Sequence, residues 1–357
     1  MEVLVLNKNF ESVGIVDVFE SMIWTDRFDS YGDFELYLFI DELNFLMLQK
    51  DYYLWSKDSE HVMIIEDVAI DTDLEEGNHL IVTGRSLESI LERRIVWGYK
   101  ILTGNLQNGI KTLLEENVIS PIDEDRKIPN FIFVESTDPI ITEMEIDAQY
   151  MGDDLYSVIS DLCTERGIGF KITLNDQNQF EFRLYAGTDR SYTQDTNPYV
   201  IFSPNFDNII NSNYFTSIAN YKNVAFVAGE GEGKYKITTI VGSGTGMDRR
   251  ELFVDASDLS SETEEAVLSK AEYLEKLNNK GLVELSQYPI STAFEGEVEA
   301  SQLFKYGRDF FIGDIVQIID EYGNEGAAYI SELVISQDKE GFTMLPTFKM
   351  IQEQEVI

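Results

Sequence analysis

The run Gly229-Glu230-Gly231-Glu232-Gly233-Lys234 comes nearest to a phosphate-binding loop in this chain. A loop of that kind needs glycine at 228 and a hydroxyl residue at 235, and those positions hold Ala228 and Tyr235. Two glutamates inside it would repel phosphate, so it reads as a hairpin tip. Gly242, Gly244 and Gly246 have no helix directly after them to supply a dipole, which removes the dinucleotide reading. Asp71-Thr72-Asp73 and Asp123-Glu124-Asp125 carry the oxygens calcium prefers. The first has Glu76 where an EF-hand needs glycine, and no bidentate glutamate closes it, so only an irregular calcium site stays open. His61 and His79 lie in strand-like segments away from metal-ligand spacing, and neither sits near a nucleophile elbow. Cys163, the single cysteine, falls on the apolar side of a predicted helix and reads as a buried thiol. The 65 acidic residues offer many carboxylate pairs for glycoside hydrolysis, and a signal that any acidic protein would give carries no weight. The sequence therefore assigns no catalytic, cofactor-binding or metal-ligating residue and no cofactor.

The elements that would have to position any site make up most of the message. At 357 residues, the chain is long for one core, and two to four domains are expected. Hydrophobic content of 43% with only 7 prolines describes a folded chain. No apolar run approaches a membrane span, so no membrane insertion is expected. Glu2 stands where a signal peptide would carry Lys or Arg, and the reading is of a chain without a secretion signal. The net charge of −38 argues against an electrostatic grip on nucleic acid or anionic membrane. It fits either a solubilising surface or a wall that DNA passes without sticking.

Along the chain, residues 19–40 (FESMIWTDRFDSYGDFELYLFI) read as a hairpin. Phe34, Leu36 and Leu38 alternate with Asp33, Glu35 and Tyr37, and Trp24 with Met22 marks a buried face on the other arm. Gly32 is placed at the corner, where positive φ is often required. Short strands at close spacing make residues 1–100 a β domain, with Ser86 capping a short helix that carries Leu87, Ile90 and Leu91. Arg93 and Arg94 follow and read as solvated or ion-paired arginines rather than ligand contacts.

Residues 101–204 read as an α/β insert. It holds a helix after Asn105, loop-rich chain around Pro121, Pro129 and Pro139, and a helix with Leu155, Val158, Ile159 and Leu162 ending at Gly167. A hairpin follows, with Phe170, Ile172 and Leu174 facing Phe180, Phe182 and Leu184. Residues 205–245 and 282–357 read as a second β domain. A helical insertion at 246–281 interrupts it, opened by a capping box of Ser261 and Glu264, with Val267, Ala271, Leu274 and Leu277 on one face until Gly281.

Four blocks of this sequence, taken in order, resemble a known family. The opening stretch has a Trp, an aromatic and then Y-G-x-F-E-L, and GRSLESILERRIV belongs with it. The second block runs from GIGFKITL to FEFRLYAGTDRSY, with the step Gly187-Thr188-Asp189-Arg190. The third is Asp248-Arg249-Arg250-Glu251, and the fourth leads from Tyr306-Gly307 to Gly313-Asp314. Together they resemble the tail hub proteins of long-tailed phages, the ReqiPepy-type tail proteins. These are similar to the N-terminal part of tail-associated lysins and to the central hub of contractile baseplates.

The resemblance implies a mainly β fold with two small tube-type β-barrel domains, an α/β insert and a helical insertion, arranged as in a baseplate hub. It implies a structural virion protein at the distal end of a tail, a homotrimer whose six barrels continue the tube. Its implied partners are the distal tail protein ring, tail tube or tape-measure proteins, and fibre or tip proteins, with DNA present only in transit. No enzymatic activity is implied, because the peptidase or fibre-bearing extensions of longer relatives lie beyond Ile357. The rival readings are a cell-wall hydrolase of the tail tip, which needs a deep pocket with acids of divergent pKa, and a carbohydrate-binding module, which needs an exposed aromatic platform.

Overall fold

The computed structural model describes residues 1–73, 77–261, 268–297 and 303–351. The chain is mainly β and its described residues divide into two compact units, residues 1–212 with 295–351 and residues 213–294. Within the first unit, one strand path runs Phe342–Met350, Glu325–Asp338, Ser21–Arg27, Asp33–Phe39, Gly77–Ser86, Val62–Asp73, Tyr53–Trp55, Val3–Leu6, Ser12–Val16. Ile315–Ile319 joins it at Glu325–Asp338 and pairs in parallel with Ile201–Phe202. N-terminal and C-terminal strands thus form one continuous ladder, joined where Ser21–Arg27 pairs with Glu325–Asp338.

That join is the opening hairpin's outer edge. Met22, Trp24, Leu36 and Leu38 are fully buried, as period-two alternation requires. Arg27 sits opposite Glu332 across the join and donates Nε to it at 2.6 Å, while its Nη1 reaches Asp33 at 2.5 Å. Gly32 departs from the expected role: its φ is not positive. It is glycine because a Cβ there would lie 2.0 Å from the Thr25 carbonyl oxygen. Ser86 pins this corner, since its Oγ accepts from Gly32 N at 2.7 Å and its own N–H donates to Gly32 O at 2.9 Å. The Ser86 side chain therefore does not cap the 3-10 helix Leu87–Arg93 that follows.

Two ladder irregularities bend the long strands, one between Ile65 and Asp67 and one between Ile330 and Glu332. At the second, the Ser331 carbonyl is released to accept from Phe28 N at 2.9 Å.

The α/β insert has its own core. Asn105 and Asp154 cap the helices Leu106–Leu114 and Leu155–Arg166, and Gly167 closes the second at φ 65°. Leu155, Val158, Ile159, Leu162 and Cys163 face inward. Gly169–Leu174 and Phe180–Tyr185 form the expected hairpin. Phe131–Val134 adds a third, parallel strand in chain that the prolines made look irregular. The same stretch holds an antiparallel ribbon of Tyr99–Asn105 and Glu145–Met151. Its partners lie from Asn105↔Glu145 to Tyr99↔Met151, too far apart in sequence for local pattern to reveal.

The second unit is a three-stranded sheet, Thr238–Gly242, Val224–Ala228, Glu251–Asp255, covered on one face by the helix Lys270–Ser286. The hairpin at 224–242 is as expected in its pairing. It lies in this unit with the helix, however, and the cuts fall at 212/213 and 294/295 where the sequence reading placed boundaries at 205, 246 and 282. The helix is capped by Ser269 and Glu272, which form a reciprocal capping box. Glu264 and Val267 of the expected start lie outside the described residues. Leu277 is buried and Leu274 packs beside it as expected, Tyr273 and Gly281 complete the face against the sheet, and Ala271 is exposed. Gly281 does not end the helix. A Cβ there would meet Val227 at 2.4 Å and Val241 at 2.8 Å, so glycine lets the helix lie close on the sheet.

Candidate functional site

Phe28 stands where the family-like segments meet. It is 1% exposed and packs edge-on to Tyr185 at 5.2 Å between ring centroids and beside Tyr329 at 5.6 Å. A Cβ on Gly313 would come within 2.2 Å of the Phe28 ring and one on Gly169 within 2.5 Å, so two glycines from distant segments make room for it. A Cβ on Gly187 would reach the Gly313 carbonyl at 1.8 Å, bringing the second block against the fourth. Asp314 fastens the pair: it accepts from Thr188 N at 2.7 Å, Arg190 Nε at 2.8 Å and Phe311 N at 3.1 Å, and it is 3% exposed. The opening, second and fourth blocks therefore converge. The third lies in the other unit, where Arg250 N–H donates to Asn223 and Arg249 pairs with Glu251.

Beside this junction lies a buried ionic cluster. Glu88, 0% exposed, accepts from Ile172 N at 2.7 Å and faces His61 Nδ1 at 3.1 Å, through the same oxygen. Its other oxygen, Oε2, has no hydrogen-bond partner among the described residues. Asp26 accepts from Trp24 Nε1 at 2.9 Å and from Ser59 Oγ at 2.7 Å. Burial alone would lower the His61 pKa, but the Glu88 and Asp26 carboxylates outweigh it and raise the value to about 9. Burial raises Asp26 above its ordinary value. Burial also opposes ionisation of Glu88, yet His61 and the donated hydrogen bonds hold its pKa below normal. His61 is thus an imidazolium between two carboxylates, and Glu88 ties the insert strand Gly169–Leu174 to the helix of the first β segment.

A cleft of ≈ 490 Å³ opens over the cluster, with Asp26, Glu60, His61, Lys171, Tyr306 and Asp314 in its wall. It has acids of divergent pKa, since Lys171 helps hold Glu60 low, against burial, while Asp26 is raised. Both Asp26 oxygens are engaged, Asp314 is saturated by three donors, and Lys171 is paired with Glu60. The arrangement holds three segments in one register.

Other residues weighed in the sequence fall elsewhere. Arg93, Arg94, Asp123 and Asp125 share a second cleft of ≈ 380 Å³ with Trp97 and Arg126. Arg93 lies 3.6 Å from Asp51, and Asp123 caps Asp125 N. His79 stacks on Tyr37 at 4.5 Å. Burial pushes the Cys163 thiol far up, leaving it inert. In the glycine-rich tip, Glu230 N–H is taken by the Tyr273 hydroxyl at 2.8 Å, and a Cβ on Gly229 would lie 2.5 Å from that hydroxyl. Among the described residues, no group of three or more His, Cys, Asp or Glu side chains is placed to hold a metal. No helix among them is long and apolar enough to cross a membrane. The sequence reading missed Asp26 and Glu88. The available signal was an acid inside an otherwise buried run, Leu87-Glu88-Ser89-Ile90-Leu91.

The family model described as Siphovirus ReqiPepy6 Gp37-like protein matches residues 2–348. Among solved structures, the chain is similar to the 43 kDa tail protein of prophage MuSo2 from Shewanella oneidensis, with a TM-score of 0.60 at 12% identity, covering 99% of this chain and 98% of that one. It is similar to the prophage tail protein gp18 from Listeria monocytogenes EGD-e, with a TM-score of 0.55 at 10% identity over 100% and 96% of the two chains. It is also similar to a chain of the Francisella PdpA-VgrG complex, with a TM-score of 0.53 at 8% identity over 98% of this chain and 52% of that one. At these identities the likeness is one of fold. No curated protein matches the sequence.

Proposed function

Because the chain belongs to the Siphovirus ReqiPepy6 Gp37-like family of siphovirus tail proteins, we propose that it is the hub at the distal end of a phage tail, three copies joining the six-fold tube to a three-fold tip. The observation that carries this reading is the family match over residues 2–348, which spans both β regions, the insert and the second unit. The interlocked junction supports it, since a hub transmits load through fixed contacts rather than through a reacting group. We read the protein as a virion component without chemistry of its own.

In this reading, two tube-type β domains are built on residues 1–100 and on the strands Ile315–Ile319, Glu325–Asp338 and Phe342–Met350. Superposing the two strand sets tests that division, and unrelated strand orders would remove it. The neighbours in the particle are the distal tail protein ring, tube or tape-measure proteins and tip proteins, with DNA in transit through the bore. The deciding experiment is the mass of the assembled species, in solution and in the particle. Three copies per ring are expected, and a ring of any other copy number would overturn the hub assignment.

A further inference from the structure

Residues 56–61 join the strands Tyr53–Trp55 and Val62–Asp73 and form one rim of the cleft over the ionic cluster. They take no part in the strand ladder. Their backbone bonds are internal: Ser59 N–H donates to the Ser56 carbonyl at 3.4 Å, and His61 N–H donates to Ser59 Oγ at 2.9 Å. Links to other elements run through side chains. Ser59 Oγ donates to Asp26 at 2.7 Å, Glu60 pairs with Lys171, and His61 Nδ1 meets Glu88 at 3.1 Å. Each link reaches a different element: the strand Ser21–Arg27, the insert strand Gly169–Leu174 and the helix Leu87–Arg93.

His61, Asp26 and Glu88 are all buried. While the ring carries its proton, it compensates two acids that would otherwise confront each other out of water. A neutral ring can still hydrogen-bond to Glu88 but compensates neither carboxylate, and Glu88 keeps one oxygen without a partner among the described residues. The cleft brings solvent up to Asp26 and His61. The rim can swing toward it without breaking a ladder bond, so it is the element that yields first. We propose that residues 56–61 act as a proton-operated flap, closed over Asp26 while His61 is an imidazolium and opening onto the cleft when the ring is neutral.

The groups that face the ring set the direction of the switch. Glu88 from the helix and Asp26 from the strand hold the proton on, and Lys171 from the insert opposes it. Glu60, on the flap itself, also faces His61. Tyr185 and Tyr306 in the cleft wall are pushed up by burial and stay neutral throughout. Lys57, Asp58 and Asp314 are the other charged groups of that wall. The folded His61 value of about 9 lies above the ordinary 6.5, so closure is complete below pH 6.5 and is lost as pH rises through about 9.

Amide hydrogen exchange on the full chain tests this, read as protection factors so that the intrinsic pH dependence of exchange divides out. In the wild type, the Ser59 and His61 amides should lose protection by about tenfold or more as pH rises from 6.5 through about 9. The ladder amides of the cross-strand partners Leu36 and Val82 should stay about tenfold or more better protected than the rim at every pH. His61→Gln keeps a polar side chain without the charge and should show the open level already at pH 6.5. Asp26→Asn combined with Glu88→Gln removes the acids that need the cation, and its rim protection should stay flat over the same range. That double variant conserves side-chain volume, so it reads the flap even where His61→Gln fails to fold. Wild-type rim protection that is constant with pH would overturn the flap, as would an unchanged pH response in the double variant. Equal protection at rim and ladder would also overturn it, because the segment would then open only with the whole chain.

Discussion

Trp24 buries a large ring and also supplies one of the two donors that hold Asp26, so its loss should act twice. Trp24→Ala is expected to cost roughly 3–5 kcal/mol, and an unchanged melting temperature would show that this face is not the core. His61 gives a pH signature. Its folded pKa of about 9 stands above the ordinary 6.5, so its contribution is complete below pH 6.5 and is lost as pH rises through 9. Glu88 works in the opposite sense, contributing above its ordinary 4.5 and losing that as pH falls. Asp26, raised by burial, costs stability when ionised and is relieved by acid. Lys171, which also faces the cluster, opposes the His61 charge. Thermal melts should therefore drop as pH rises from 6.5 through about 9. His61→Phe should lower stability by about 3–5 kcal/mol by leaving carboxylates unpaired, and it should flatten that alkaline slope. The same slope in both proteins would sink the account.

At the scale of elements, close packing overrides propensity. Gly→Ala inside an exposed helix normally stabilises by about 1 kcal/mol. At Gly281 the added methyl would strike Val227 and Val241, so Gly281→Ala is expected to destabilise the second unit by about 1–3 kcal/mol. Its unfolding, followed by hydrogen exchange in the helix Lys270–Ser286, reads this directly, and slower exchange would contradict the packing argument. Gly84 follows the same logic in the first unit: a Cβ there would fall 1.8 Å from the Ile64 carbonyl, beside the strand irregularity at 65–67. Such glycines look like turn residues in a sequence. They are places where two backbones approach, and only the partner strand identifies them.

For the whole molecule in the hub reading, the charge of −38 would have to be tolerated wherever copies meet and wherever DNA passes. Duplex DNA carries one negative charge per roughly 1.7 Å of axis, so a basic bore would bind it and slow its exit. In the hub reading, acidic side chains therefore line the channel in excess, and basic ones gather at subunit contacts. Counting charged side chains on the bore and on the outer wall of an assembled ring tests this, and a neutral or basic bore would remove it. Measurable duplex affinity at physiological salt would count against it as well.

Local pattern carried the parts of this protein whose cause is local. Alternation at Phe34, Leu36 and Leu38 fixed a buried strand face, and Asn105, Asp154 and Gly167 fixed helix ends, because period and capping depend on residues a few positions apart. The ordered blocks carried the family, since its match spans the same stretch of chain. Tertiary structure decided what distant segments impose on each other. The ribbon of Tyr99–Asn105 with Glu145–Met151, the join of Arg27 to Glu332, and the convergence of Phe28, Gly187 and Asp314 all pair residues tens to hundreds of positions apart. Glu88 and His61 looked like ordinary polar residues, and burial made them an ion pair. Burial is set by whatever packs on top, and no window of sequence contains that.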